Sequence, residues 1–181
     1  MNWMQKTIQQ IVETYQERVR NTCFRYVHSR EDADEVAQDV FVQVHASLNR
    51  FRKDAELSTW IYRIAVNKSL DFLRYKKRKK RFAQVISLFG LAGEIRNIPE
   101  PGGGNPHKDI EAEERSRQLK MALDKLPDTQ KTAVILKRFQ ACKNKEISEI
   151  MEISVSAVEA LQHRAMKNMK KYLTAYFEKV L

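Results

Sequence analysis

The sequence predicts an all-α protein made of two small helical domains joined by a flexible linker, the C-terminal one containing a helix-turn-helix, and three observations carry that expectation. Apolar residues recur every three or four positions along most of the 181-residue chain, while alternating strand-like runs are scarce. All five glycines and three of the four prolines fall between Phe82 and Lys108, around Pro99-Glu-Pro-Gly-Gly-Gly-Asn-Pro106, where no helix can continue. Charge changes at the same place: residues 1–82 hold 17 basic against 10 acidic side chains, residues 83–108 hold 2 against 2, and residues 109–181 hold 14 against 11. The expected division is therefore 1–82, a linker 83–108, and 109–181.

From Trp3 to Val27, Ile8, Ile11, Val12, Tyr15, Val19, Cys23 and Tyr26 form one face of a helix, or of two helices in line. Ser29 followed by Asp32 has the spacing of a capping box. The helix it opens, about Glu31 to Leu48, would bury Ala33, Val36, Ala37, Val40, Phe41, Val44 and Leu48, leaving Asp32, Glu35, Gln38, Asp39 and Gln43 outside. A polar link, Asn49 to Leu57, follows, and Ser58 or Thr59 is the expected cap of the next helix.

That next segment, Ser58 to Arg81, combines rings, polar side chains and cations. Arg63, Asn67, Asp71, Arg74 and Arg78 share one face at helical spacing; Ile61, Ile64, Ala65 and Phe72 share another; Trp60, Tyr62 and Tyr75 are interspersed. Six successive basic residues, Lys76 to Arg81, end it. Phosphates are held by Lys and Arg through counterion release, and an unstacked base needs a ring or a shaped pocket in place of its lost neighbours. The segment suits a partly opened nucleic acid. A single ring or ion pair here would more simply be core or solvated surface, and Trp60 is equally compatible with a wedge or a core ring.

In the second domain Leu119, Ala122, Leu123 and Leu126 make a stripe, Pro127-Asp128 interrupts it, and a helix of about Asp128 to Phe139 follows. Glu146 to Ala165 has helix-turn-helix spacing: Ile147, Ile150 and Met151 pack the first helix, Ser148 permits close approach, Ile153 fills the turn, Ser154 caps the second helix, and Val158 and Leu161 bury it. Glu152 occupies a place where a turn glycine is common. On a groove-bound second helix, Ser156, Glu159, Ala160, His163 and Arg164 would face the DNA, Glu159 accepting from a cytosine amino group and Arg164 donating to guanine or phosphate. Lys167, Lys170 and Lys171 continue that side.

Several function classes recede. Cys23 and Cys142 are far apart and lack metal spacing to His28, His45, His107 or His163, which fits two packed thiols in a reducing compartment. Asp32, Asp34, Glu35 and Asp39 lie on one helix with Asp34 turned away, a poor two-metal site, so no metal and no cofactor are expected. No Walker loop, zinc-protease helix or nucleophile elbow occurs, and the expectation is a non-enzyme. No apolar run of about 18 residues exists and the N-terminus lacks a secretion-signal pattern, so no membrane insertion and a cytoplasmic location are expected. A dimeric one-component helix-turn-helix regulator with a helical sensor domain is the alternative; the basic aromatic helix in its sensor position argues against it.

Five motifs in order resemble the extracytoplasmic-function (ECF) sigma factors, promoter-specificity subunits of bacterial RNA polymerase: Glu35-Val-Ala-Gln-Asp-Val-Phe41; Phe51; Ser58 to Asn67 with Asp71; Leu126-Pro127; and Glu146 to Ala165. The resemblance covers nearly the whole chain and implies transcription initiation with core RNA polymerase. Glu35, Gln38, Asp39 and Gln43 would bind the clamp of the largest subunit, the second-largest subunit would be a further partner, and the linker would thread through the polymerase toward its active-site and RNA-exit channels. Asn49, Arg50, Phe51, Ser58, Trp60, Arg63, Asn67, Arg74, Lys76 and Lys77 would open and read the minus-ten element as single-stranded DNA. Ser156, Glu159, Ala160, His163, Arg164 and Lys167 would read the minus-thirty-five element as duplex. A sequestering anti-sigma factor is implied too. Ala157 stands where the family often has Thr, and Glu159 and Ala160 replace a usual Lys or Arg and Ser.

Overall fold

A computed structural model describes residues 8–51, 56–88 and 110–180, and every regular element among them is helical. The helices are α1 (Ile8–Val27), α2 (Arg30–Ser47), α3 (Leu57–Leu88), α4 (Ile110–Asp124), α5 (Asp128–Arg138), α6 (Asn144–Met151) and α7 (Val155–Val180). They group into two compact units, α1 to α3 and α4 to α7.

In the first unit each helix lends an apolar stripe to one core. Ile11, Val19, Cys23 and Tyr26 of α1 pack with Ala33, Val36, Val40 and Val44 of α2 and with Ile61, Tyr62, Ala65 and Val66 of α3, all buried. Burying such stripes supplies most of the stability of helices whose own propensity is marginal. Between α1 and α2 the chain turns through His28 in the left-handed region (φ 61°). Ser29 is extended and its Oγ accepts from the Asp32 N–H, so the expected cap forms.

The start and end of α3 differ from expectation. Leu57 begins the helix and the Trp60 N–H reaches the Glu56 carbonyl, so Ser58 and Thr59 lie inside its first turn and neither caps it; Thr59 is buried. At the other end α3 runs to Leu88, past the expected boundary at 82. The first residue that disfavours a helix after Arg81 is Gly90, and Ala83 to Leu88 contain nothing that opposes continuation.

In the second unit Leu123, Leu126, Val134, Ala165 and Met169 form a cluster, with Phe139 and Tyr172 packed against it. The α4 stripe is rotated from the sequence reading: Gln118 is buried and Leu119 is exposed. Gln118 is held by a hydrogen bond to Glu114 Oε1 at 2.6 Å. Lys131 of α5 is buried and pairs its ammonium with the exposed carboxylate of Asp124 at 2.7 Å, so the cation reaches its counterion at the edge of this unit.

Candidate nucleic-acid and polymerase interfaces

The outer face of α2 carries Glu35, Gln38, Asp39 and Gln43, all exposed as expected. Val42 stands among them and is 67% exposed. At 100° per residue it falls between Gln38 and Glu35, so one exposed apolar side chain stands within an otherwise polar face. Val42 is out of register with the buried stripe of α2, and periodicity alone gives no sign of its place on this polar face.

The rings at the start of α3 fall differently from a DNA-facing row. Phe51 is buried and its ring lies 4.9 Å from that of half-buried Trp60, tilted by 41°. This contact fastens the segment after α2 to the first turn of α3. Tyr62 is core, while Tyr75 remains exposed. Asn49 is exposed and Ser58 half-buried; the Arg50 side chain and residues 52–55 of the expected link lie outside the described residues.

Along α3, half-buried Arg63 and exposed Asn67, Asp71, Arg74, Lys77, Arg78 and Arg81 follow one stripe. Arg74 donates to Asp71 Oδ1 at 2.9 Å, an exposed ion pair of small energetic weight. Asp71, Arg74, Lys77, Arg78 and Arg81 form an open surface along this one helix, four cations to one carboxylate. Lys76 leaves this stripe: thirteen residues after Arg63, it stands about 220° round the helix. There it pairs with Asp32 of α2 and lies 5.3 Å from the Phe72 ring centre.

The helix-turn-helix forms with the expected packing. Ile147, Ile150, Val158 and Ala165 are buried, and Leu161 is half-buried. Glu152 takes φ 56° and ψ 42°, and the Ile153 N–H returns to the Ser148 carbonyl, so the turn closes through a left-handed residue without glycine. Ser154 Oγ accepts from the Ala157 N–H at 3.2 Å and caps α7. Ser156, Glu159, Ala160, His163, Arg164 and Lys167 are all exposed on α7. Asn144 of α6 donates to Glu159 Oε1 at 3.2 Å and accepts from Gln162 Nε2 at 3.2 Å, a cross-helix network absent from the sequence reading.

The description "Sigma-70 region 2" matches residues 11–79, and "Sigma-70, region 4" matches residues 116–169. ECF RNA polymerase sigma factor SigW of Bacillus subtilis (strain 168) is 29% identical over 164 residues, 90% of this chain and 87% of that protein. RNA polymerase sigma factor YlaC of the same strain is 30% identical over 168 residues, 93% of this chain and 92% of its own. The chain belongs to the ECF sigma factors.

Solved structures agree on the fold of this sigma factor. CnrH, in complex with the cytosolic domain of CnrY, aligns with a TM-score of 0.66 at 21% identity, over 93% of this chain and 88% of its own. Sigma factor RpoE, in complex with the anti-sigma factor NepR from Bartonella quintana, aligns with a TM-score of 0.61 at 19% identity, over 92% and 96%. As a sigma factor, the protein acts in transcription initiation and binds DNA. Among its described residues no helix is long and apolar enough to cross a membrane.

Proposed function

We propose that this sigma factor binds core RNA polymerase through α2, opens and reads the minus-ten element with α3, and reads the minus-thirty-five element with α7. The division of labour follows the two helical units, α1 to α3 and α4 to α7. The observation that carries it is the sorting of chemistry by face: a polar patch with one exposed valine on α2, a stripe on α3 that is mixed polar at its N-terminal end and cationic toward its C-terminal end, and an exposed recognition face on α7.

Each face has a physical task. Val42 supplies an apolar anchor for a contact with the clamp of the largest subunit, flanked by Glu35, Gln38, Asp39 and Gln43 on the same face. Arg63 and Asn67 hold a non-template base outside its stack, a step costing a few kcal/mol that polymerase binding and pocket contacts must offset. Lys77, Arg78 and Arg81 hold phosphates just upstream, where charge matters more than geometry. Lys76 braces α3 on α2, and Phe51 and Trp60 fix the start of α3 as a packed pair. On α7, Ser156, Glu159, Ala160, His163 and Arg164 face base edges and Lys167 faces phosphate.

Exposed faces of this kind suit sequestration, and a structural neighbour is solved with an anti-sigma factor. An anti-sigma partner and a cytoplasmic site of action complete the proposal, with regulation of transcription rather than catalysis as the role.

Reconstitution with core polymerase tests it. The full chain should give promoter-dependent transcripts from a genomic promoter pool, and Val42→Asp should abolish polymerase binding while leaving the melting temperature unchanged. A protein that gives no promoter-dependent transcript, or that binds operator duplex tightly as a dimer without polymerase, overturns the reading.

A further inference from the structure

We propose that Asn144, which stands on α6 outside the recognition helix, is a positioning residue for base reading: it holds Glu159 ready to accept a hydrogen bond from the amino group of a cytosine in duplex DNA. The inference rests on the reading of α7 as the groove-bound helix and adds to it a base and a supporting residue.

The geometry defines one arrangement. An ionised Glu159 has no proton to donate, so Asn144 must present its amide Nδ2 to Oε1, at 3.2 Å. The Asn144 Oδ1 is then left to accept, and Gln162 Nε2 donates to it at 3.2 Å. The carboxylate therefore fixes which way the Asn144 amide faces, Gln162 donates to the oxygen left over, and the amide in turn tethers the carboxylate. Three side chains form a directed chain of donors ending on a negative charge, an order in which each bond polarises the next.

The carboxylate also has capacity to spare. With about four lone-pair sites, one bond from Asn144 leaves room for a base amino group. Glu159 is the fifth residue of α7, within the N-terminal half that reaches base edges in this motif. In the major groove cytosine offers an amino donor at N4 with no acceptor of its own beside it; adenine places an N7 acceptor next to its N6 amino group, and guanine and thymine present acceptor oxygens, all of which a carboxylate repels. An acidic side chain facing a polyanion is thus selective by penalty as well as by attraction. A free Glu would lose rotamer freedom on reading a base; one already tethered loses less. Asn144 makes that difference without touching DNA.

The test uses the full chain with core polymerase and a promoter library randomised through the minus-thirty-five element, transcripts being sequenced. Wild type should favour cytosine at one position, and Glu159→Ala should reduce that preference about tenfold. Asn144→Ala and Asn144→Asp should each reduce it at least threefold. The second of these keeps an acceptor for Gln162 but meets Glu159 with like charge, so loss there separates positioning from simple docking of α6. Asn144→Ala in the Glu159→Ala background should change nothing further at that position. Preferences at the remaining positions report folding in every variant. Retention of the cytosine preference in both Asn144 variants, or its insensitivity to Glu159→Ala, overturns the inference and leaves the groove reading intact. Absence of preference at every position of the element overturns the groove reading itself.

Discussion

The Lys76 ammonium pairs with the Asp32 carboxylate across 44 positions of sequence, tying the first turn of α2 to the basic end of α3. The carboxylate is largely sheltered while the ammonium is half-exposed, so the pair lies between a surface bridge and a buried one. Asp32→Asn and Lys76→Gln should each lower stability by about 0.5–1 kcal/mol, and the double variant should lose less than the sum. Urea unfolding of the four proteins measures this, and additive losses would mean that the pair does not form in solution.

Phe51 and Asn67 should separate structure from function. Burial of Phe51 against Trp60 implies that Phe51→Ala costs about 3 kcal/mol of stability and impairs promoter opening only as a consequence. Asn67 is exposed, so Asn67→Ala should leave the unfolding midpoint within experimental scatter while weakening opening several-fold. Permanganate reactivity of unpaired thymines, read beside thermal melts, distinguishes the two.

At the helix-turn-helix corner, Glu152 holds a left-handed conformation that crowds its Cβ. Glu152→Gly should stabilise the second unit by about 0.5–1 kcal/mol, the flexibility of glycine in the unfolded chain offsetting part of the relief. A rise of a few degrees in melting temperature is the expected result; a fall would show that side-chain contacts of Glu152 outweigh the backbone cost.

Burial pushes both thiols up to about 11 from 9.0, Cys142 being raised further by the Glu146 carboxylate. Each should be neutral and slow to alkylate at pH 8, and quick only after unfolding. Because the folded state disfavours the thiolate, this contribution to stability is complete below pH 9 and disappears as pH rises toward about 11. Unfolding midpoints measured across that range should fall, and Cys23→Ala should flatten the fall.

Local chemistry made much of this readable in advance. Ser29 and Ser154 cap helices because their hydroxyls serve orphan N–H groups next door in sequence. The stripes of α2 and α7 follow from periodicity alone. Ser58 and Thr59 misled because the residue types that suit a cap also fit a first turn, and packing buried Thr59. Gln118 in place of Leu119 reflects a rotation of α4 set by its neighbours and by Glu114. Lys76 and Glu159 read from the sequence as DNA contacts without protein partners, because Asp32 and Asn144 come close only once separate helices have docked.

The unbroken course of α3 turns it into a measuring rod. Its 32 residues span about 48 Å, and the stretch from Asn67 to Arg81 about 21 Å, near the rise of six base steps. A helix neither stretches nor slackens, so on the proposed reading of α3 the distance between a captured base and the phosphates gripped upstream is built into the protein. One residue inserted between them would swing every later cation by about 100° and should put the grip out of step with the strand, whatever the sequence of the promoter.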